Sequence, residues 1–188
     1  MTLHRWALLA GITGAVANLL LIALFTVPSA AWTGPANDIV GGVVANVLTI
    51  PVVLAWRRGL PVLAWSAVGG LVVIAVLSVL LVAGLIPLQA QFAGIALPVT
   101  ALFLWLWAVG RGGQLSPGMR RAARWIGAGA TLGYPLLLVS TLLPEGSAAQ
   151  YVLGGAAVLV VAPAWLAFPV WLIRLGLTPH PAPRPVPA

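Results

Sequence analysis

Acidic side chains are scarce in this sequence, which contains two of them, Asp38 and Glu145. General acid–base catalysis needs a titratable side chain within hydrogen-bond reach of the substrate, and a metal site needs several ligands together. The two acids lie in different predicted loops, and His4 and His180 lie outside the apolar segments. Cysteine is absent, which excludes disulfides and thiolate chemistry. We therefore expect a protein that is not an enzyme and that holds no metal and no cofactor.

Uncharged polar side chains are the remaining candidates for a binding site. Five of them fall near the middle of predicted membrane spans, namely Asn18, Asn46, Thr100, Thr131 and Tyr134. Pro135 follows Tyr134, and a proline inside a helix leaves the carbonyl four residues earlier, that of Thr131, without its helical donor. Two interpretations stay open. These groups form hydrogen bonds that pack one helix on another, which is their commoner use, or they line a small midplane cavity for a neutral or weakly polar molecule or a lipid.

The basic residues form a second candidate surface. All nine are arginine, and they flank apolar segments instead of gathering among other polar groups. This pattern argues against nucleic acid as a partner, because nucleic-acid-binding surfaces cluster basic residues on one solvated face. A basic residue beside an anionic leaflet is worth about 1 kcal/mol. We expect lipid head-group contacts from six arginines, which are Arg57, Arg58, Arg111, Arg120, Arg121 and Arg124.

Six apolar segments must position these residues. The sequence is 62% hydrophobic and 6% charged, whereas a soluble domain is about 45–50% apolar and about 25% charged. Each segment is long enough to cross about 30 Å of hydrocarbon as a helix. The sequence therefore predicts an all-α fold, a polytopic transmembrane bundle of six helices in one domain over residues 1–177. The predicted spans are approximately 6–27, 39–56, 62–86, 92–109, 122–143 and 151–173.

The charges predict how these spans are oriented. With six spans, every arginine falls on one side of the membrane and both acids fall on the other. The positive-inside rule then places both termini in the cytoplasm. The apolar run after Arg5 is longer than the 7–15-residue core of a signal peptide, so we expect an uncleaved first helix. Residues 178–188 alternate proline with other residues, which predicts a disordered cytoplasmic tail.

Several short motifs carry a resemblance to known proteins. These are Ser116-Pro117, then Arg124-Trp125-Ile126-Gly127, then Pro163-x-Trp165, and finally Pro169-x-Trp171-x-x-Arg174-Leu175-Gly176. Together they resemble uncharacterised bacterial six-helix membrane proteins that are grouped as a domain of unknown function. The resemblance covers the layout of the whole chain and implies a helical bundle in the plasma membrane. It implies no activity and transfers no functional residue.

These observations lead to an expectation about function. We expect a multi-pass protein of the plasma membrane (the bacterial inner membrane) that binds, scaffolds or acts as an accessory subunit. The alternative is a small transporter or channel subunit for a neutral or weakly polar solute. The expected partners are membrane lipids, together with a protein partner or further copies of the chain, and not nucleic acid.

Overall fold

The computed structural model describes residues 2–27, 29 and 31–178, and within these ranges every regular element is a helix. The all-α prediction is confirmed. Met1, Pro28 and Ala30 lie outside the described residues, as does nearly all of the predicted tail, residues 179–188 with His180. Six helices follow one another: α1 (Leu3–Thr26), α2 (Thr33–Leu54), α3 (Pro61–Val82), α4 (Leu88–Arg111), α5 (Pro117–Thr141) and α6 (Ala148–Leu177).

The helices begin before the apolar segments do. Helix α2 begins at Thr33 and α5 at Pro117, five or six residues ahead of the apolar runs that predicted them. Proline is favoured at the first position of a helix because the helix needs no N–H there. At α6, the Ser147 side chain caps the helix by accepting a hydrogen bond from the Gln150 backbone N–H at 3.2 Å. Polar first turns therefore extend the helices beyond the boundaries that hydrophobicity indicates.

Five of the six helices, all except α5, are long and apolar enough to cross a membrane. Helix α5 carries Arg120, Arg121 and Arg124 in its first turns, and its middle includes glycines, Thr131 and Tyr134. These residues lower its hydrophobicity without shortening it, since it has 25 residues.

The helices form a closed ring. Each packs against the helices before and after it in the chain, and α6 packs against α1. The connecting segments are five or six residues long, which makes consecutive helices antiparallel neighbours. Every arginine among the described residues consequently lies at one end of the ring, which we call the arginine end.

Aromatic side chains fill the interior of the ring. Phe103 of α4 is fully buried, and its ring centroid lies 6.3 Å from that of Tyr134 of α5 and 5.3 Å from that of Phe168 of α6. Because α4 and α6 are not neighbours in the ring, the contact between Phe103 and Phe168 crosses its centre. On the other side of α4, Trp105 meets Trp56 edge-on at 6.0 Å. Such pairs combine large buried area with favourable ring geometry.

Glycines allow neighbouring backbones to come close. A Cβ on Gly127 would lie 2.5 Å from the Trp107 backbone nitrogen and 2.7 Å from the Phe103 carbonyl oxygen, so α4 and α5 pack where any larger side chain would collide. Small residues are the usual means of close helix approach in membranes. Each of the six interfaces has a glycine where a Cβ would collide. The nearest atoms are backbone atoms of the neighbouring helix at Gly70 and Gly127, and both backbone and side-chain atoms at Gly11; they are side-chain atoms at Gly41, Gly42 and Gly133.

Replacement of Gly127 by alanine should therefore destabilise the bundle by about 1–3 kcal/mol, because backbone atoms must move to admit the methyl group. Gly129→Ala is a matched control in the same helix, since its Cβ would meet its nearest neighbour at an ordinary 3.5 Å. The midpoint of unfolding in mixed micelles, followed by circular dichroism, measures both. Equal midpoints for the two variants would contradict the packing described here.

Candidate functional site

The arginine end carries the charge of the molecule. Arg57, Arg58, Arg111, Arg121 and Arg124 are exposed, and Arg120 is half-buried, so all six predicted lipid-contact residues lie where head groups could reach them. The Arg111 guanidinium carbon lies 4.8 Å from the Trp107 ring centroid, a cation–π distance. Both acids, Asp38 and Glu145, lie toward the other end of the ring. No acidic side chain therefore neutralises the arginines.

Two hollows open at this end. The first, which we call the α2 hollow, has a volume of about 470 Å³ and is lined by Pro51, Leu54, Ala55, Arg57 and Arg58. The second, which we call the α5–α6 hollow, has a volume of about 380 Å³ and lies between the first turns of α5 and the last turns of α6. Its lining includes Ser116, Met119, Ile126, Ala167, Val170 and Arg174.

One long-range hydrogen bond shapes the α5–α6 hollow. The buried Trp171 indole N–H of α6 donates to the Met119 carbonyl oxygen of α5 at 3.2 Å. Met119 lies in the first turn of α5, where its carbonyl remains open to a side chain donor as well as to the helix. The bond joins residues 52 positions apart. It fixes the start of α5 against the end of α6 and so sets the width of the hollow.

The five residues predicted near the midplane are not joined to one another by hydrogen bonds. Asn46 Nδ2 donates to the Gly42 carbonyl and Thr100 Oγ1 to the Ala96 carbonyl, each at 2.7 Å and each within its own helix. Such bonds to the preceding turn satisfy polar groups inside a helix without tying helices together. If these residues packed one helix on another, hydrogen bonds between helices would be expected. At Asn46 and Thr100 the structure instead has bonds within one helix.

The other three midplane residues have different surroundings. Asn18 is buried in α1, and Tyr134 stacks on Phe103 in the aromatic interior. The Thr131 hydroxyl is buried and has no hydrogen-bond partner. Neither hollow at the arginine end is lined by any of the five.

A polar cluster that the sequence did not reveal lies toward the opposite end. The hydrophobicity pattern predicts Asp38 in a loop, but it lies inside α2, at the start of a π-helical stretch, Asp38–Ala45. The Gln91 side chain of α4 lies beside the Asp38 carboxyl, and its Nε2 donates to Ser78 Oγ of α3 at 3.3 Å. Gln91 and Ser78 are both buried. The cluster brings together polar side chains of α2, α3 and α4.

The sequence contained a signal for one contact of this cluster, the one between Ser78 and Gln91. Ser78 and Gln91 are equally distant from the turn at Gly84 and Leu85, so an antiparallel hairpin sets them opposite each other. The bond between Gln91 and Ser78, with Asp38 beside it, favours a structural role. Within residues 2–178 as described, no three or more His, Cys, Asp or Glu residues are grouped so that they could hold a metal ion.

Fold and site together define an all-α protein with five apolar helices of membrane-spanning length and one cationic end. Comparison of the chain with family models, with curated proteins and with solved structures finds no match. Its function is therefore argued from its own geometry.

The polar cluster predicts a specific loss of stability. Gln91→Leu should destabilise the bundle by about 0.6–2 kcal/mol, the range for hydrogen bonds between membrane helices, because it leaves Asp38 and Ser78 unpaired. Gln89→Leu is the matched control, since Gln89 is exposed two residues earlier in the same helix. Unfolding midpoints in mixed micelles compare the two. A loss in Gln89→Leu as large as that in Gln91→Leu would assign the effect to leucine and not to the cluster.

Proposed function

We propose that this protein is a six-span protein of the bacterial plasma membrane, with both termini in the cytoplasm and with a non-enzymatic binding or accessory role. Helix α5 is the sixth span. It is held between α4 and α6 by close contacts at Gly127 and Gly133, and it has the length of its neighbours. A helix packed in this way shares the depth of the helices beside it. The positive-inside rule orients the arginine end toward the cytoplasm.

Membrane lipids are the first partners in this proposal. The proposal rests on one observation. In both hollows of the arginine end, arginine side chains lie beside an apolar wall. An apolar wall beside a cation matches the two parts of a phospholipid, the acyl chain and the phosphate. Each basic residue near an anionic leaflet contributes about 1 kcal/mol.

Transport of a neutral or weakly polar solute is the second candidate. The unpaired Thr131 hydroxyl favours it, because Pro135 also frees the Thr131 carbonyl and so leaves two polar groups to hold a small molecule. The aromatic contacts between α4, α5 and α6 obstruct a path through the ring beside this point. Solute flux into liposomes that is lost in Thr131→Val would support transport over lipid binding.

Native mass spectrometry of the protein released from lipid nanodiscs tests the leading proposal. We expect retained lipids to be richer in anionic species than the disc itself. The same spectrum reports a bound protein partner or further copies of the chain. Retained lipids in the same proportions as the disc would contradict the proposal, and a reproducible adduct that is not a lipid would favour transport.

The orientation predicts the result of cysteine labelling, for which the chain has no background because it contains no cysteine. Leu85→Cys and Glu145→Cys should react with a membrane-impermeant maleimide in intact cells. Gly59→Cys and Gly113→Cys, at positions with open space around them, should react only after permeabilisation. If Glu145→Cys were protected together with Gly113→Cys, α5 would not span the membrane.

A further inference from the structure

We propose that the α5–α6 hollow is a binding site for one anionic phospholipid, whose phosphate contacts Arg174 and whose acyl chain lies along the apolar wall. The inference rests on the proposed lipid-binding function and gives it a location and a specificity. Arg174 is not among the six arginines that the sequence assigned to lipid contact.

The size of the hollow suits part of one lipid molecule, namely its phosphate and the adjoining stretch of acyl chain. Its volume of about 380 Å³ falls within the range of ligand-binding clefts, about 300–1,000 Å³. The side of the hollow away from the helix ends is apolar, with Ile126, Ala167 and Val170. Val170 is half exposed, so this wall is accessible from the outside of the bundle. An acyl chain that enters from the surrounding bilayer would displace other lipid from these side chains and would meet no polar group.

The rim of the hollow supplies the complementary charge. Arg174 lies in the last turn of α6 and is exposed. Across from it, Ser116 precedes the first turn of α5, and its hydroxyl makes no capping bond to that helix. Guanidinium and hydroxyl groups are donors to phosphate oxygens, and charge-assisted bonds from arginine are the stronger of the two. The acids of the chain lie toward the other end, so the phosphate would meet no repulsion from an acidic side chain.

A soluble anion would not use the whole of this site. Free phosphate has no apolar part, whereas most of the hollow away from Arg174 and Ser116 is hydrocarbon. The α2 hollow is a natural comparison. It also has arginines, Arg57 and Arg58, but it is the more open of the two and its other lining residues are Pro51, Leu54 and Ala55. We therefore expect general attraction at the α2 hollow and retention of one lipid at the α5–α6 hollow.

Native mass spectrometry from nanodiscs of equal parts phosphatidylcholine and phosphatidylglycerol tests the site. The unaltered protein should retain one phosphatidylglycerol in preference to phosphatidylcholine. Arg174→Gln should lower that occupancy about fivefold, the ratio equivalent to about 1 kcal/mol for one basic residue. Arg5→Gln, the matched control, should leave it unchanged, because Arg5 is exposed at the same end and lines neither hollow. Ala167→Leu, which fills the apolar wall, should reduce retention of both lipids.

The outcomes separate failure of the site from failure of the proposed function. Unfolding midpoints first establish that each variant is folded. If Arg5→Gln lowered occupancy as much as Arg174→Gln, or if Arg174→Gln had no effect while phosphatidylglycerol was still enriched, the site would be wrong and the lipid-binding function would stand. If the unaltered protein retained both lipids in the proportions of the disc, both would be overturned. Inorganic phosphate equimolar with the lipid, at constant ionic strength, should not displace it; displacement there would overturn the site, because it would show that the apolar wall adds nothing to the affinity.

Discussion

Close approach of helix backbones at glycine is the constraint on which the rest of this structure depends. Lipid is as apolar as the helix surfaces, so the hydrophobic effect does little to hold such helices together within a membrane. Close packing at residues without a Cβ takes its place. Every interface of the ring has such a glycine, which meets backbone atoms at three interfaces and side chains at the other three. The aromatic interior, the polar cluster and the hollows all follow from helix positions that these contacts set.

Helix α4 has a central place within this arrangement. Its side chains reach helices that are not its neighbours, through Phe103 to α6, Trp105 to the end of α2, and Gln91 to Asp38. The first two contacts are aromatic and the third is polar. Together these three contacts cross the ring at different positions along α4. A helix with partners on both sides of the ring resists the sliding of either half against the other.

The fold was largely predictable from the sequence, and the contacts between helices were not. Apolar segments of membrane length predict six helices because the bilayer dictates that length. Hydrophobicity could not locate the start of α2, so Asp38 was assigned to a loop. It predicts a depth for Asn46 and Thr100 but not the partners of their side chains, which bond to their own helices. The α5–α6 hollow depends on a bond between Trp171 and Met119, and no local pattern indicates such a distant pair.

Because the ring is closed, each helix would keep the same two neighbours if the chain began at a different helix. Gly176 of α6 packs against the His4 carbonyl and the Leu8 backbone nitrogen of α1, so the first and last turns of the bundle are side by side. A short peptide there would complete a circular chain, which could then be opened at any connecting loop. Opening at residues 55–60 or 112–116 keeps both new ends among the arginines. In the proposed six-span topology, opening at a loop of the opposite end would place the new termini across the membrane. Circular permutation would then preserve the contacts of the ring, with the preferred cut sites at the arginine end.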